Sequence, residues 1–395
     1  MAEQRVAIVH EWLVTFGGSE KVLAELLALF PGADLFAVVD FLSNEDRLKL
    51  GNPRIRTSFI QNLPFAKKHY RSYLPFMPLA VEQFDLSGYD LVISSSHAVA
   101  KGVLTGPRQT HVCYCHTPMR YAWDLQHQYL RETGLARGVK SLLARAMLHY
   151  IRIWDARTAA GVDLFIANSA YIAKRIRKTY GRGAAVVHPP VHVEAFPLCL
   201  EKEDFYLTAS RMVPYKRIDI IVEAFARMPE RRLVVIGDGP EMTKLRAMGR
   251  ENITFLGYQS DSVLRDHLQR ARGFVFAAEE DFGILPVEAQ ACGTPVIAYG
   301  AGGVLETVLP AGNPQGMPAT GVFFTEQTPM AVCTAIARFE ALRFDPRNCR
   351  GWAERFSRSA FAEAITEQLN ALMQSDESIV RPVEERLRLA YSRAR

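Results

Sequence analysis

Short β-branched or aromatic runs alternate with helical patterns along most of this chain, in two series separated by a proline-rich break. The first series predicts strands at Val6–His10, Asp34–Val39, Ile55–Ile60, Leu91–Ser95, Thr110–Cys115, Leu164–Asn168 and Ala185–His188. The second predicts them at Phe205–Ala209, Leu233–Ile236, Ile253–Leu256, Phe274–Ala277, Val296–Tyr299 and Gly321–Phe324. Strand-length runs divided by helical patterns fold as parallel sheets covered by helices. Between the series, "PPVHVEAFPLCLEKED" over residues 189–204 sets three prolines and a charge cluster that interrupt both periods. The domain boundary is placed there, giving 1–195 and 196–358, each large enough to bury its own core, with helices over 359–395. The longest predicted helix, about 138–160, sets Leu143, Met147, Ile151 and Trp154 on one face, with Lys140, Arg145 and Arg152 spread over the other.

Composition narrows the function classes. With 49% hydrophobic residues the chain is not a disordered one. No apolar run approaches the roughly 20 residues of a membrane-spanning helix. The opening "MAEQRVAIVHEW" has neither a basic segment nor an apolar core of an export signal, so a cytoplasmic protein is expected. Six cysteines, at 113, 115, 199, 292, 333 and 349, form no CxxC pair, as in a reducing compartment. Residues 1–195 carry 23 Lys and Arg against 16 Asp and Glu, and eleven of those cations fall between Arg131 and Arg182. Such a basic stretch is a solvated face, an anionic membrane surface or a site for a phosphate-bearing partner.

The stretch "EEDFGILPVEAQACGTPVIAYGAGGVLETV", residues 279–308, is the most informative. A strand ends in three acids, passes Phe282 and Gly283, and enters a helix. Ligands of open α/β sheets bind beyond the carboxyl ends of strands, which is where Glu280 falls. Gly283 admits close backbone approach, and the N–H groups of Ile284 and Leu285 at the helix start suit an anion. Glu288, one turn further on, suits the vicinal hydroxyls of a ribose. Upstream, "ASRMVPYKRID" places Arg211 and Lys216 after the first strand of the second domain, a planar fork and a point charge fit for a diphosphate; a surface loop balanced by Asp219 is the plain alternative. The turn "GDGP" at 237–240 is not the GxGxxG of dinucleotide sites and reads as structural or as lining the cleft. In the first half, Gly17 and Gly18 join the first strand to a helix start. His116 ends a strand; a lone histidine is usually a core or surface residue. No D-x-D motif and no zinc-spaced His/Cys cluster occurs, so no metal or other cofactor is expected.

The SR…K loop, the GDGP turn, the "ITFLGY" strand, the E-x7-E segment with "CGTPVIA", and the "GG…E" loop together resemble the retaining glycosyltransferases of family 4, "glycosyl transferases group 1", of the GT-B fold. The resemblance covers about residues 205–325 and implies two Rossmann-like α/β domains facing each other across a donor cleft. It further implies that Arg211, Lys216, Gly17 and Gly18 hold the donor diphosphate and that Glu280, with residues 282–285, meets the transferred sugar. Glu288 would bind the ribose, and Leu256, Gly257 and Tyr258 the base. In this family a histidine at the position of His116 contacts the sugar, which makes His116 and Glu280 the catalytic candidates. Arg120 and Asp124 are weaker candidates for the acceptor. In such folds the last helix often crosses back to the first domain, which is the expectation for Ser359–Met373.

"HEWL…GGSEKV" and "YCHTPMRYAWD" look like bacterial O-antigen and exopolysaccharide mannosyltransferases, so GDP-mannose is the first choice of donor and a UDP-hexose the second. In "LPFAKKHYRSYLPFMPLAVEQF", residues 63–84, Lys67, Lys68 and Arg71 interleave with Phe65, Tyr70, Tyr73 and Phe76. That mixture suits a membrane interface; nucleic acid is ranked low because no nucleic-acid motif matches. The expected acceptor is a polyprenyl-diphosphate-linked saccharide met at the inner membrane surface. A nucleotide-sugar epimerase of the same fold and a catalytically idle binding protein are the competing readings.

Overall fold

The computed structural model describes residues 5–314 and 316–374. Its described residues divide into two compact units. The first comprises residues up to Ala167, Arg175–Val187 and the chain from Ser359; the second comprises Asn168–Lys174 and His188–Arg358. The chain thus leaves the first unit just before the proline-rich stretch rather than within it. The tail beyond Asp376 lies outside the described residues.

The first unit is a seven-stranded parallel sheet: β1 (Val6–Leu13), β2 (Asp34–Asp40), β3 (Ile55–Thr57), β4 (Leu91–Ser96), β5 (Thr110–Cys115), β6 (Leu164–Ala167) and β7 (Ala185–Val186), in the order β3-β2-β1-β4-β5-β6-β7. Side chains alternate across a strand, so Ala7 and Val9 join one core layer while Val6 and Ile8 join the other. The second layer also takes Val22, Leu23 and Leu26 of the helix Gly18–Leu29 and Phe361, Ile365 and Leu369 of the helix over 358–374. The 361, 365, 369 spacing is the one-face repeat of a helix. The last helix therefore contributes to the core of the first unit.

The second unit repeats the plan with six parallel strands: β8 (Glu203–Ala209), β9 (Leu233–Ile236), β10 (Ile253–Gly257), β11 (Ala271–Phe276), β12 (Val296–Tyr299) and β13 (Gly321–Phe324), in the order β10-β9-β8-β11-β12-β13. In both sheets the order reverses once, between β1 and β4 and between β8 and β11. Such a reversal opens a crevice beyond the carboxyl ends of the strands, where open α/β sheets bind ligands.

Several elements depart from the expected limits, among them β11, which starts at Ala271, and β7, which stops at Val186; three departures have a cause in the structure. β1 runs three residues past His10, because the Glu11 carboxylate is buried with its own set of donors, described below. β3 stops at Thr57: Ser58 caps a 3-10 turn, Phe59–Asn62, by accepting from the Ile60 N–H at 3.2 Å. The long helix is Val139–Thr158, and it buries Ser141, Ala144, Leu148, Ile151, Trp154 and Asp155. Leu143 is 71% exposed, so the inward face is rotated from the one predicted. Asp155 belongs to it because the Lys101 ammonium, equally buried, lies 2.6 Å from its Oδ1.

Candidate active site

In the second unit the predicted residues gather at the crevice between β8 and β11. The loop after β8 carries Ser210 and Arg211. The GDGP turn is packed against it: a Cβ on Gly237 would lie 1.8 Å from Ser210 O, and one on Gly239 would lie 2.5 Å from Met212 O. Both glycines have positive φ, +125° and +156°, which L side chains rarely adopt. The Met212 N–H donates to Asp238 O at 2.9 Å and the Glu241 N–H to Met212 O at 3.1 Å, so the turn is a brace for the Arg211 loop. Arg211 itself is exposed. Lys216 closes the 3-10 turn Pro214–Lys216, and its ammonium is paired with Glu280 Oε1. Asp219 pairs with Arg217 at 3.2 Å, so it balances neither Arg211 nor Lys216.

Glu280 is held through its backbone. It bridges to Gly302, and its carbonyl accepts from the Gly303 N–H at 2.8 Å. A Cβ on Gly303 would sit 2.4 Å from Phe282 Cα, so the two loops meet only because no side chain intervenes. Gly283, at φ +88°, starts the helix Ile284–Ala291. Intrahelical bonding leaves the Ile284 and Leu285 N–H groups without carbonyl partners, and the helix dipole adds positive potential there. Glu288 follows in that helix with only 6% of its surface exposed. The Phe282 ring turns away into the core between His188 and Phe356, 5.5 Å from each, so only its backbone faces the loop. The glutamate of the GG…E loop, Glu306, accepts from the Ala170 N–H at 2.8 Å and pairs with His188 Nε2 at 3.0 Å. Burial would raise its pKa, but those bonds outweigh burial and lower it.

At the end of β10, Gly257 takes φ +71° and its carbonyl accepts from the Gly237 N–H at 2.8 Å. The Leu256 carbonyl accepts from the Gln259 amide at 2.7 Å. Tyr258 is 81% exposed, a ring open to stacking.

In the first unit Gly17 precedes the helix Gly18–Leu29, and its N–H donates to Glu20 Oε2 at 3.0 Å. Its φ of −123° is open to any residue, so it supplies closeness rather than an unusual conformation. His116 follows β5, its N–H donating to Ser96 O at 2.8 Å and its Nε2 lying 2.9 Å from Ser95 Oγ. Burial pushes its pKa well below the ordinary value, so the ring is neutral. Asp124 is paired with Arg175. The Arg120 carbonyl accepts from the Trp123 and Leu125 N–H groups at 3.2 and 3.0 Å, within the turn that leads to Asp124.

Sequence reasoning passed over Glu11. It is fully buried at the β1–β4 reversal, and its Oε1 accepts from Ser96 Oγ (2.9 Å) and from the N–H groups of His97 (2.9 Å), Ala98 (2.8 Å) and Ala100 (3.1 Å). Its Oε2 accepts from the Val99 N–H at 2.8 Å. Burial alone would raise its pKa; His97 and the backbone donors reverse that and lower it. A carboxylate inside an apolar strand, "VAIVHEWL", is the signal that was there to be found. The buried Lys101–Asp155 pair, with Trp123 Nε1 donating to Asp155 Oδ2 at 2.7 Å, was likewise passed over. Among the described residues no group of three or more His, Cys, Asp or Glu side chains is placed to hold a metal ion.

Residues 16–195 match the Glycosyltransferase Family 4 domain and residues 193–355 the Glycosyl transferases group 1 domain. The chain is 32% identical over 181 residues to a GDP-mannose-dependent monoacylated alpha-(1-6)-phosphatidylinositol monomannoside mannosyltransferase of Corynebacterium glutamicum, covering 38% of this chain and 48% of that one. It is 30% identical over 247 residues to a D-inositol 3-phosphate glycosyltransferase of Gordonia bronchialis, covering 54% and 53%. The chain thus spans about half the length of the curated relatives it matches. Among solved structures, it is similar to Anabaena HepE in complex with UDP and glucose, at TM-score 0.66 and 18% identity over 93% of this chain and 100% of that one. Sucrose-phosphate synthase of Thermosynechococcus elongatus aligns at TM-score 0.69 and 18% identity over 94% and 100%. These structural matches establish the GT-B fold.

Proposed function

We propose that this chain, whose two halves match the Glycosyltransferase Family 4 and Glycosyl transferases group 1 domains and which has the GT-B fold, transfers a hexose from a nucleoside diphosphate to a lipid-linked or oligosaccharide acceptor, with retention at the anomeric carbon. The observation that carries this is the β8–β11 crevice, where Arg211, Lys216 and a helix start assemble positive potential beside Glu280. Charge grows on the leaving diphosphate as the glycosidic bond breaks, and fixed donors aimed there lower the barrier. Arg211, Lys216 and the Ile284–Leu285 N–H groups take that role in this reading, rather than a metal. Glu280 meets sugar hydroxyls and Glu288 the ribose. No side chain is assigned as nucleophile: the departing phosphate oxygen accepts the proton of the incoming hydroxyl on the same face.

Mannose from GDP-mannose is the favoured donor, supported by the resemblance to mannosyltransferases and by the relative of that name. A UDP-hexose is the second choice. Thermal-shift titration with GDP, UDP, GDP-mannose, UDP-glucose and dTDP-sugars, with and without magnesium, tests the reading, since a ligand of the native state raises its stability by mass action. Stabilisation by GDP and GDP-mannose that is lost in Glu288→Ala is expected. A UDP preference overturns the donor, and no response to any nucleotide overturns the transferase.

A polyprenyl-diphosphate-linked saccharide at a membrane surface is the proposed acceptor. Phe65, Phe76 and Leu79 are exposed beside Lys67, Lys68 and Arg71, whereas Tyr70 turns inward against Trp12. The helix Val139–Thr158 shows solvent Val139, Leu142, Leu143, Tyr150 and Ile153 next to Lys140 and Arg157, and its one carboxylate, Asp155, is buried. Apolar side chains flanked by cations and free of carboxylates suit an anionic lipid interface. No helix among the described residues is long and apolar enough to cross a membrane. Flotation with anionic vesicles is expected to capture the protein and added salt to release it; equal behaviour with neutral vesicles overturns this part.

A further inference from the structure

Residue 217 takes a backbone conformation that its own side chain disfavours. The 3-10 turn Pro214–Lys216 runs directly into the helix Ile218–Ala226, and Arg217 caps the end of one and the start of the other, at φ +53° and ψ +37°. That is the left-handed region, which glycine enters freely and a residue with a Cβ does not. A helix start ordinarily uses an extended cap whose side chain accepts an N–H, and Arg217 makes no such bond. Strain of this kind persists where surrounding contacts hold it, and it directs attention to what the side chain does.

Arg217 Nε donates to Asp219 Oδ1 at 3.2 Å, Nη1 to Gln327 Oε1 at 3.3 Å and Nη2 to the Gln327 carbonyl at 3.4 Å. Gln327 Nε2 in turn donates to Ala277 O at 2.8 Å. A carbonyl only accepts and a guanidinium only donates, so the Gln327 amide has one orientation that serves both. The next residue, Thr328, caps the helix Pro329–Glu340 by accepting from the Ala331 N–H at 3.2 Å. Arg217 and Gln327 therefore join three points at the carboxyl edge of the second sheet: the start of the helix after β8, the start of the helix after β13, and Ala277, the first residue after β11. The two helix bodies belong to one apolar cluster, with Ile218, Ile221 and Phe225 from one and Val332, Ile336 and Phe339 from the other. The polar tie acts on the loops that precede them.

Its place matters because another link between the same loops, the Lys216–Glu280 pair, is one that a diphosphate would open. The Lys216 turn is braced on its upstream side through Met212 and the GDGP turn, and on its downstream side by Arg217, whose N–H also donates to Pro214 O at 3.1 Å. Glu280 is held on one side by Gly302 and Gly303, and Ala277 precedes it by three residues. Asp219 already offsets the Arg217 charge, and each bond of the tie is made within the protein, so the tie survives when the Lys216 ammonium passes from carboxylate to phosphate.

We propose that Arg217 and Gln327 are positioning residues, a strap that keeps the Lys216 turn and the end of β11 at a fixed separation, so that the Lys216 loop stays in place when a nucleoside diphosphate replaces Glu280. The ligand half of this rests on the transferase reading; the strap itself belongs to the unliganded protein.

Three substitutions separate a strap from a plain charge or a fold contact. Gln327→Met keeps the length of the side chain and removes both amide arms. Arg217→Gly removes the guanidinium and the left-handed strain together, so it is expected to melt no lower than wild type. Arg217→Lys keeps charge and strain but lacks the fork that spans Oε1 and the carbonyl of Gln327. In isothermal titration with GDP and with UDP, Kd for the nucleotide that wild type binds is expected to rise about fivefold in each variant, the effect of having to order one long side chain on binding. The Arg217→Gly/Gln327→Met double variant is expected to bind no more weakly than either single one, since each change opens the same strap. A wild-type Kd in Arg217→Lys, an unchanged Kd in Gln327→Met, or losses that add in the double variant overturn the proposal. Hydrogen exchange of the ligand-free protein, read by mass spectrometry over residues 211–217, needs no nucleotide. Faster exchange there in Gln327→Met, with β8 unchanged, is expected, and equal rates overturn the strap. Failure of wild type to bind either nucleotide would remove the transferase reading and leave the exchange result to decide the strap.

Discussion

Glu280→Gln should tighten nucleoside diphosphate binding while it slows transfer. In this structure the Lys216 charge is already engaged by Glu280, and the two side chains retain only 18% and 23% of their exposure. A diphosphate must share that ammonium or displace the carboxylate, and it meets the negative charge of Glu280 besides. Two unit charges about 4 Å apart attract by about 4 kcal/mol at an effective dielectric of about 20, most of it offset by desolvation and lost side-chain freedom. A net value of about 1 kcal/mol fits a pair between exposed and buried. Glutamine removes the competitor without changing shape, so the diphosphate Kd should fall about fivefold. Lys216→Ala should do the reverse, raising Kd about tenfold or more, since a hydrogen bond to a charged group contributes about 1.5–3 kcal/mol. Transfer by Glu280→Gln should drop by about two orders of magnitude, because a neutral amide accepts sugar hydroxyls more weakly as charge develops. Isothermal titration with the nucleoside diphosphate, beside turnover measured on the same preparations, separates the two effects. Weaker diphosphate binding by Glu280→Gln, or unchanged binding by Lys216→Ala, would refute the assignment.

Other perturbations have equally definite signs. Lys101→Met strands the Asp155 carboxylate, fully buried between Trp123 Nε1 and Tyr180 OH, and should destabilise by about 3–5 kcal/mol in urea titration; adding Asp155→Leu should recover most of that. Glu20 has its pKa lowered from the ordinary 4.5 to about 2, so it stabilises the fold above about pH 4.5 and loses that contribution, about 3 kcal/mol, as pH falls toward 2. Urea midpoints measured between pH 6 and 2.5 should fall more steeply in wild type than in Glu20→Gln. Gly303→Ala would place a Cβ 2.4 Å from Phe282 Cα and 2.5 Å from Asp281 O, both backbone, so the Glu280 loop must shift; a loss of about 1–3 kcal/mol with weaker nucleotide binding is expected by thermal shift and titration.

Most of the architecture was legible because parallel strands buried on both faces read as uninterrupted apolar runs. β9, β12 and β13 have the limits that their runs predict. What escaped was polar burial. Glu11 ends an apolar run when read as a surface group, so β1 was cut at His10; in the fold five donors hold its carboxylate and the strand continues to Leu13. Asp155 and Lys101 are 54 positions apart and each reads as solvated, yet together they rotate the long helix so that Leu143 faces water. In the second unit the cations, acids and glycines were legible as chemistry, because a loop that ends a strand exposes its functional groups. The contacts of Ser95 Oγ with His10 and His116 were not, since these residues are brought together only by strand order, and each alone reads as an ordinary core residue.

The two glycines after β1 illustrate how far residue type alone carries a site assignment. A glycine pair before a helix start reads as an anion loop, but in this fold the Gly17 N–H is donated to Glu20 and the N–H groups after β4 to Glu11, so both reversal-point loops of the first unit already carry a carboxylate. Among the predicted diphosphate residues Arg211, in the second unit, is an exposed cation. Gly17 has a φ of −123°, and a Cβ there would lie 3.2 Å from Glu20 Oε2, a contact that a small side-chain shift relieves. Gly17→Ala should therefore cost less than about 1 kcal/mol of stability. It should also weaken nucleoside diphosphate binding by less than Lys216→Ala or Arg211→Ala, since a charged donor outweighs a backbone amide that is already engaged. Titration of the three variants with the same diphosphate ranks them; a Gly17→Ala loss as large as that of Lys216→Ala would mean that the ligand displaces Glu20 from the helix start and that the first unit shares the diphosphate.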